Sequence, residues 1–92
     1  MAKAKKVHPT DARDAAIVAG AVSFNVNLFL GAGRYDRVQA QTLEAARIAA
    51  AELEYAHQHT RRTALIYAVD ASGASALVTP TILAIVAATG GK

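Results

Sequence analysis

The segment AVSFNVNLFL (residues 21–30) constrains the fold most, because apolar side chains alternate along it with mainly polar ones, with a period of two residues. Such alternation is typical of a β-strand that buries one of its faces. It predicts an outward face that carries Asn25, Asn27 and Phe29. The residues predicted to face the core are Val22, Phe24, Val26, Leu28 and Leu30.

The next residues, GAGR, predict a turn, since Gly31 and Gly33 can adopt positive φ without steric cost. Residues 34–41 can then return as an antiparallel partner strand that buries Val38 and Ala40. Two glycines after a strand are also found in dinucleotide-binding loops, but here the third glycine is missing and no helix follows. A tight hairpin turn is therefore the better interpretation.

Residues 42–58 predict the clearest helix, with Thr42 as the N-cap and an apolar stripe at helical spacing. Ile48 and Tyr55 form a second apolar strip, which indicates a further contact. The stripe predicted to face the core consists of Leu43, Ala46, Ala50 and Leu53, with Ala49 and Ala56 at its edge.

Two more segments favour regular structure. Residues 9–20 favour a short helix that begins at Thr10 or Asp11, either of which is a suitable N-cap. Residues 63–78 favour a second hairpin around the turn sequence DASG.

A last helix, PTILAIVAAT (80–89), is predicted after Thr79, a typical N-cap followed by proline at the first helical position. This helix carries no charged residue, and apolar side chains such as Ile82 and Ile85 are spread around it. It must therefore be covered, either by the sheet of its own chain or by another subunit.

The resulting order, (α)-β-β-α-β-β-α, predicts a small single α+β domain with a four-stranded, largely antiparallel sheet packed on helices. The domain is predicted to span residues 9–92, a length that suits one small core. Much of the apolar content is alanine, which buries little area per residue. A thin core, completed by a partner chain, is therefore expected.

The first eight residues are predicted to form a disordered basic tail. Lys3, Lys5 and Lys6 account for the whole formal net charge of +3, so the rest of the chain is neutral. The basic character is a property of the tail, which serves either as a solubilising leader or as a source of phosphate contacts.

A cytoplasmic protein without membrane contact is expected. No apolar run approaches the ~20 residues that span a bilayer, and acidic residues follow the basic start too closely for a signal sequence. The chain has no cysteine, so neither a disulfide framework nor a thiolate metal site is available.

Neither a catalytic site nor a cofactor site is predicted, so we expect that the protein is not an enzyme. Glu52 and Glu54 lie roughly 200° apart on a helix and cannot converge on one substrate bond. The serines stand in no context typical of a nucleophile, and Ser72 suits the turn DASG.

The segment AHQHTRRT (56–63) gathers two histidines and two arginines. Helical geometry separates His57 from His59, and no third ligand lies nearby in sequence, so no metal site is predicted. Arg61 and Arg62 suit the negative end of the helix dipole, with phosphate contact as the alternative.

The outward face of the first hairpin is the feature that points to a function. Aromatic rings, amides and an arginine on one sheet face are typical of readers of single-stranded nucleic acid. The same mixture occurs where a sheet meets a subunit or is crossed by a helix. Tyr67 joins this face if Ile66 is the buried residue of its strand. The candidate interaction surface consists of Asn25, Asn27, Phe29, Tyr35, Arg37, Gln39, Ile82 and Ile85.

We therefore expect a small binding or accessory protein that acts through protein–protein contacts and self-associates as a homodimer. The alternative is a nucleic-acid-binding protein that uses the open sheet face and the lysine-rich tail. The candidate phosphate contacts are Lys3, Lys5, Lys6, Arg34, Arg61 and Arg62.

Overall fold

The structure, a computed structural model, describes residues 7–88 and shows a small α+β domain in this part of the chain. A four-stranded antiparallel sheet has the strand order β2-β1-β3-β4. The elements are α1 (Pro9–Ala19), β1 (Ala21–Gly31), β2 (Arg34–Ala40), α2 (Leu43–Ala56), a 3₁₀ turn (Gln58–Thr60), β3 (Leu65–Asp70), β4 (Ser75–Leu77) and α3 (Pro80–Ala88). The predicted fold class and element order are confirmed.

The core lies between one face of the sheet and the helices. Phe24 and Val26 of β1 pack there with Ala68 of β3 and Ala46 of α2, and the buried residues of α1 and α3 belong to the same cluster. Helix α2 packs on β1 and β2, whereas α1 packs on β3, β4 and α3. Several of the buried residues are alanines, so the core is thin, as the composition predicts.

Two residues predicted to be buried on the hairpin are exposed. Val22 is 54% exposed, because the β1–β3 register shifts between Ala21 and Ser23 and places a bulge there. Val38 lies on the core side but on the edge strand β2, where α2 covers it only partly, and it is 38% exposed. Ala40 is buried, as predicted.

Helix α1 begins earlier than predicted. His8, and neither Thr10 nor Asp11, is the N-cap, and its Nδ1 accepts a hydrogen bond from the Thr10 amide at 3.2 Å. Pro9 takes the first helical position, where its missing amide hydrogen costs nothing. Val7 lines an apolar crevice with residues of α1, so the described structure includes contacts of residues 7 and 8, which were predicted to lie in the tail. Residues 1–6 lie outside the described residues.

Helix α2 follows the predicted pattern closely. Thr42 is the N-cap, and its hydroxyl accepts a hydrogen bond from the Ala45 amide at 3.0 Å. The predicted stripe from Leu43 to Leu53 joins the core, but Ala56 at its edge is exposed, where α2 ends. Ile48 and Tyr55 remain exposed on the opposite side.

Helix α3 is covered by its own chain. Thr79 caps it, as predicted, by accepting a hydrogen bond from the Ile82 amide at 3.1 Å. Ile82 is only 4% exposed and belongs to the core, and Ile85 lines a crevice against α1. The assignment of Ile82 to an interaction surface is therefore corrected, because Ile82 packs in the core, whereas Ile85 is half-buried at the crevice and its assignment stays a prediction.

Candidate interaction surface

The sheet face opposite the core, which we call the helix-free face, carries the polar and aromatic residues of the hairpin. Strand alternation and register place these residues on one side. Among residues 7–88 no helix packs on this face, since the buried residues of all three helices join the cluster on the other side. The face consists of Ser23, Asn25, Asn27, Phe29, Tyr35, Arg37, Gln39, Leu65, Tyr67, Val69, Ser75 and Leu77. It therefore brings together all six hairpin residues of the predicted surface.

The β1–β2 half of the face is an ordered cluster of aromatic and polar groups. The Arg37 Nε donates a hydrogen bond to the Asn27 Oδ1 at 3.0 Å, and the guanidinium carbon lies 5.3 Å from the centroid of the Tyr35 ring. The rings of Phe29 and Tyr35 lie 5.6 Å apart, in the range of favourable aromatic pairs. Both rings are nearly half exposed. These contacts hold the arginine and the two rings in defined positions.

The β3–β4 half of the face is mainly apolar and, apart from Tyr67, was not predicted from the sequence. Ile66 is paired with Val26 on the core side, which places Tyr67 on the helix-free face between Asn25 and Leu77. Leu65 and Val69 therefore lie on this face too, and all four apolar residues are half-buried. The signal that could have shown this is the run LIYAV, which is apolar at every position and is typical of a strand covered on both faces.

Arg34 and Arg62, two of the predicted phosphate contacts, both lie next to Gly31 at the end of the first hairpin. Arg34 is paired with Gly31, and a Cβ atom at Gly31 would lie 3.4 Å from the Arg62 Nη2. Arg61 is exposed beside them, in a left-handed conformation with φ of 59°. In the described part of the chain, none of the three has a carboxylate within ion-pair distance. Lys3, Lys5 and Lys6 lie outside the described residues.

The segment AHQHTRRT ends α2 and ties it to the sheet. The His57 Nε2 lies 2.7 Å from the Asp36 Oδ2, so the helix end is attached to β2. The Glu54 carboxylate accepts a hydrogen bond from the Ala64 amide at 2.8 Å and anchors the start of β3. The described residues contain no cluster of three or more His, Cys, Asp or Glu able to hold a metal ion.

Asp70 organises the second turn. Its Oδ1 accepts hydrogen bonds from the Ser72 hydroxyl at 2.7 Å and from the Ser72 and Ala74 amides at 2.9 and 3.0 Å. The Ser72 hydroxyl, together with these backbone amides, stabilises the charged carboxylate and lowers the pKa of Asp70 below its usual value. This serine and aspartate thus have a structural role in the turn DASG.

No helix among residues 7–88 is long and apolar enough to cross a membrane. Comparison with known proteins found no match: no family model, no curated protein and no solved structure is significantly similar to this chain.

Proposed function

We propose that this chain is a small binding protein that acts through protein–protein contacts, and that it self-associates through the β3–β4 half of its helix-free face. The observation that carries the proposal is that β3 is apolar on both faces, although the described residues 7–88 cover only one of them with helices. Ile66 and Ala68 face the helices, whereas Leu65 and Tyr67 face away from them. A half-buried apolar face next to a thin core favours a partner that removes the rest of it from water.

A second copy of the chain is the partner that this surface fits best. A two-fold axis through the β3–β4 half places the same apolar side chains on both sides of the contact. Arg37 then stays at the edge of the interface, because it lies on β2, two strands away from β3. Like charges are therefore kept apart.

The size of the face indicates a modest affinity. The whole helix-free face, with four strands about 4.8 Å apart and a length of roughly six residues at 3.3 Å each, covers about 400 Å², and its β3–β4 half covers about half of that area. Stable interfaces bury about 800 Å² per partner, so we expect a dimer that dissociates on dilution. A cytoplasmic location remains a prediction from the sequence.

The experiment is light scattering of the purified chain over a concentration series, with a charge placed on each side of the domain. Leu77→Glu puts a carboxylate on the apolar half, and Ile48→Glu is the matched control on the exposed side of α2, where Ile48 is 55% exposed. We expect a dimer for the original chain and for Ile48→Glu, and a folded monomer for Leu77→Glu. Circular dichroism checks the fold of each variant.

Two results would overturn the proposal. One is a chain that stays monomeric at several hundred micromolar. The other is a dimer that persists in Leu77→Glu but is lost in Ile48→Glu, since it would move the contact to α2.

A further inference from the structure

We propose that the end of the first hairpin and the aromatic pair beside it form a binding site for single-stranded nucleic acid. The site is separate from the apolar β3–β4 half, so it does not depend on the proposed dimer. We call residues 31–34 the hairpin tip. Arg34 and Arg62 would contact phosphates around the tip, and Phe29 and Tyr35 would stack on bases.

Two arginines lie at the hairpin tip without an ion pair among the described residues, and Asp36, two residues along β2 on the same side as Arg34, contacts His57 instead. Arg62 comes from the loop after α2 and Arg34 from β2, and both lie next to Gly31. Among the described residues, neither has a carboxylate partner. Alternation places Arg34 on the opposite side of β2 from Tyr35, so Arg34 lies on the helix side of the hairpin end, with Arg62 beside Gly31, the residue paired with Arg34. A single strand that stacks on Phe29 and Tyr35 would therefore pass over the hairpin tip, where the two cations attract its phosphates.

The rings supply the second half of the site. Phe29 and Tyr35 are opposed on the ladder directly before the Gly31–Arg34 pair and are 44% and 45% exposed. Aromatic rings next to a cationic groove are the usual means of holding single strands, because every base has a face that can stack. The contact of Arg37 with the Tyr35 ring adds a third cation to the platform.

The rest of the face favours nucleic acid over an acidic peptide. In the described part of the chain, no Asp or Glu lies on the helix-free face, so phosphates meet no repulsion there. Asn25 and Gln39 are paired across β1 and β2 and present amides beyond the rings. Amides can hydrogen-bond to the edges of unpaired bases. A peptide of acidic residues would use the arginines but would leave the rings and amides without partners.

The test is fluorescence anisotropy of a labelled twelve-nucleotide oligothymidine strand with the full chain, over a series of salt concentrations. The tip variant is the double substitution Arg34→Glu/Arg62→Glu. Its control is the double substitution Arg13→Glu/Arg47→Glu, which changes the net charge by the same amount at exposed sites of α1 and α2. We expect binding at low salt that weakens about tenfold or more in the tip variant and little in the control. The log–log slope of affinity against salt should become shallower by about 0.7 for each phosphate that is no longer neutralised.

Three more variants test the stacking rings and the lysine tail separately from the tip arginines. Phe29→Ala or Tyr35→Ala should weaken binding about fivefold or more, because the base can no longer stack on a ring. The tail is neutralised with Lys3→Gln/Lys5→Gln/Lys6→Gln. In that background the tip variant should still weaken oligothymidine binding by the same factor. Light scattering of the same variants should show an unchanged oligomeric state. A loss of nucleic-acid binding can then be distinguished from a loss of the proposed dimer.

The proposal is overturned if no anisotropy change occurs at low salt, or if the α1–α2 charge control weakens binding as much as the tip variant. Equal competition by poly-glutamate and unlabelled oligothymidine would also overturn it, because the site would then bind any polyanion without stacking.

Discussion

The side chain of Asn27 accepts a hydrogen bond from the Arg37 Nε at 3.0 Å across β1 and β2. Asn27 is only 8% exposed, and Arg37 covers it while lying against the Tyr35 ring. The Arg37 side chain is therefore ordered before a ligand binds, which lowers the entropic cost of binding. This pair links the stability of the sheet to the shape of its helix-free face.

Asn27→Ala should lower the free energy of unfolding by about 1–2 kcal/mol, because it removes a hydrogen bond to a charged group. Urea unfolding measures the change. Asn25→Ala is the matched control, since Asn25 lies on the same strand and face but makes no side-chain hydrogen bond within the described residues. Equal decreases in the two variants would contradict a specific role of the Asn27–Arg37 bond.

Ala32→Asn should raise the free energy of unfolding by about 0.5–1 kcal/mol, because asparagine tolerates positive φ whereas alanine is strained there. Ala32 and Gly33 form a two-residue hairpin turn with φ of 54° and 76°, a conformation in which Asn-Gly is preferred. Ala71→Asn, in a turn position without positive φ, should change stability little in the same thermal or urea unfolding experiment.

The His57–Asp36 contact should show a coupling energy of about 0.5–1 kcal/mol in a double-mutant cycle. The estimate is low because the two side chains are 25% and 47% exposed, so solvent screens the pair. Urea unfolding of His57→Ala, Asp36→Ala and the double variant at one pH gives the value. A cycle between His59 and Asp36 is the control and should give no coupling.

Asp70 should make stability depend on pH in acid. Its pKa is lower in the folded chain than in the unfolded chain, so its contribution is present above the unfolded value of about 3.9 and is lost as pH falls through the folded value. Asp70→Asn should therefore flatten the acid limb of the thermal midpoint measured between about pH 2 and pH 6. Ser72→Ala should flatten it in part, because the Ser72 hydroxyl is the largest cause of the shift. An unchanged acid limb in both variants would refute this account.

Local patterns were sufficient for the fold class and for much of the helix-free face. The period of two in residues 21–30 predicts which side of β1 carries Asn27 and Phe29, and helical spacing predicts the buried stripe of α2. Such periodicities follow from backbone geometry alone. They do not report a bulge, so the predicted burial of Val22 is wrong. They also do not show what covers α3, so Ile82 is predicted on a surface although it lies in the core.

The sequence by itself determined the order of the elements, their caps at Thr42 and Thr79, and the turn chemistry of GAGR and DASG, because these depend on neighbours within a few residues. Only the tertiary structure decided that all three helices pack on one side and leave the other face of β3 without a cover among the described residues. It also brought Arg62 to Gly31, although these residues are far apart in the chain. Distances between residues that are far apart in the sequence depend on strand register and helix packing. Both are selected by the burial of apolar surface over the whole domain, which no short segment reports.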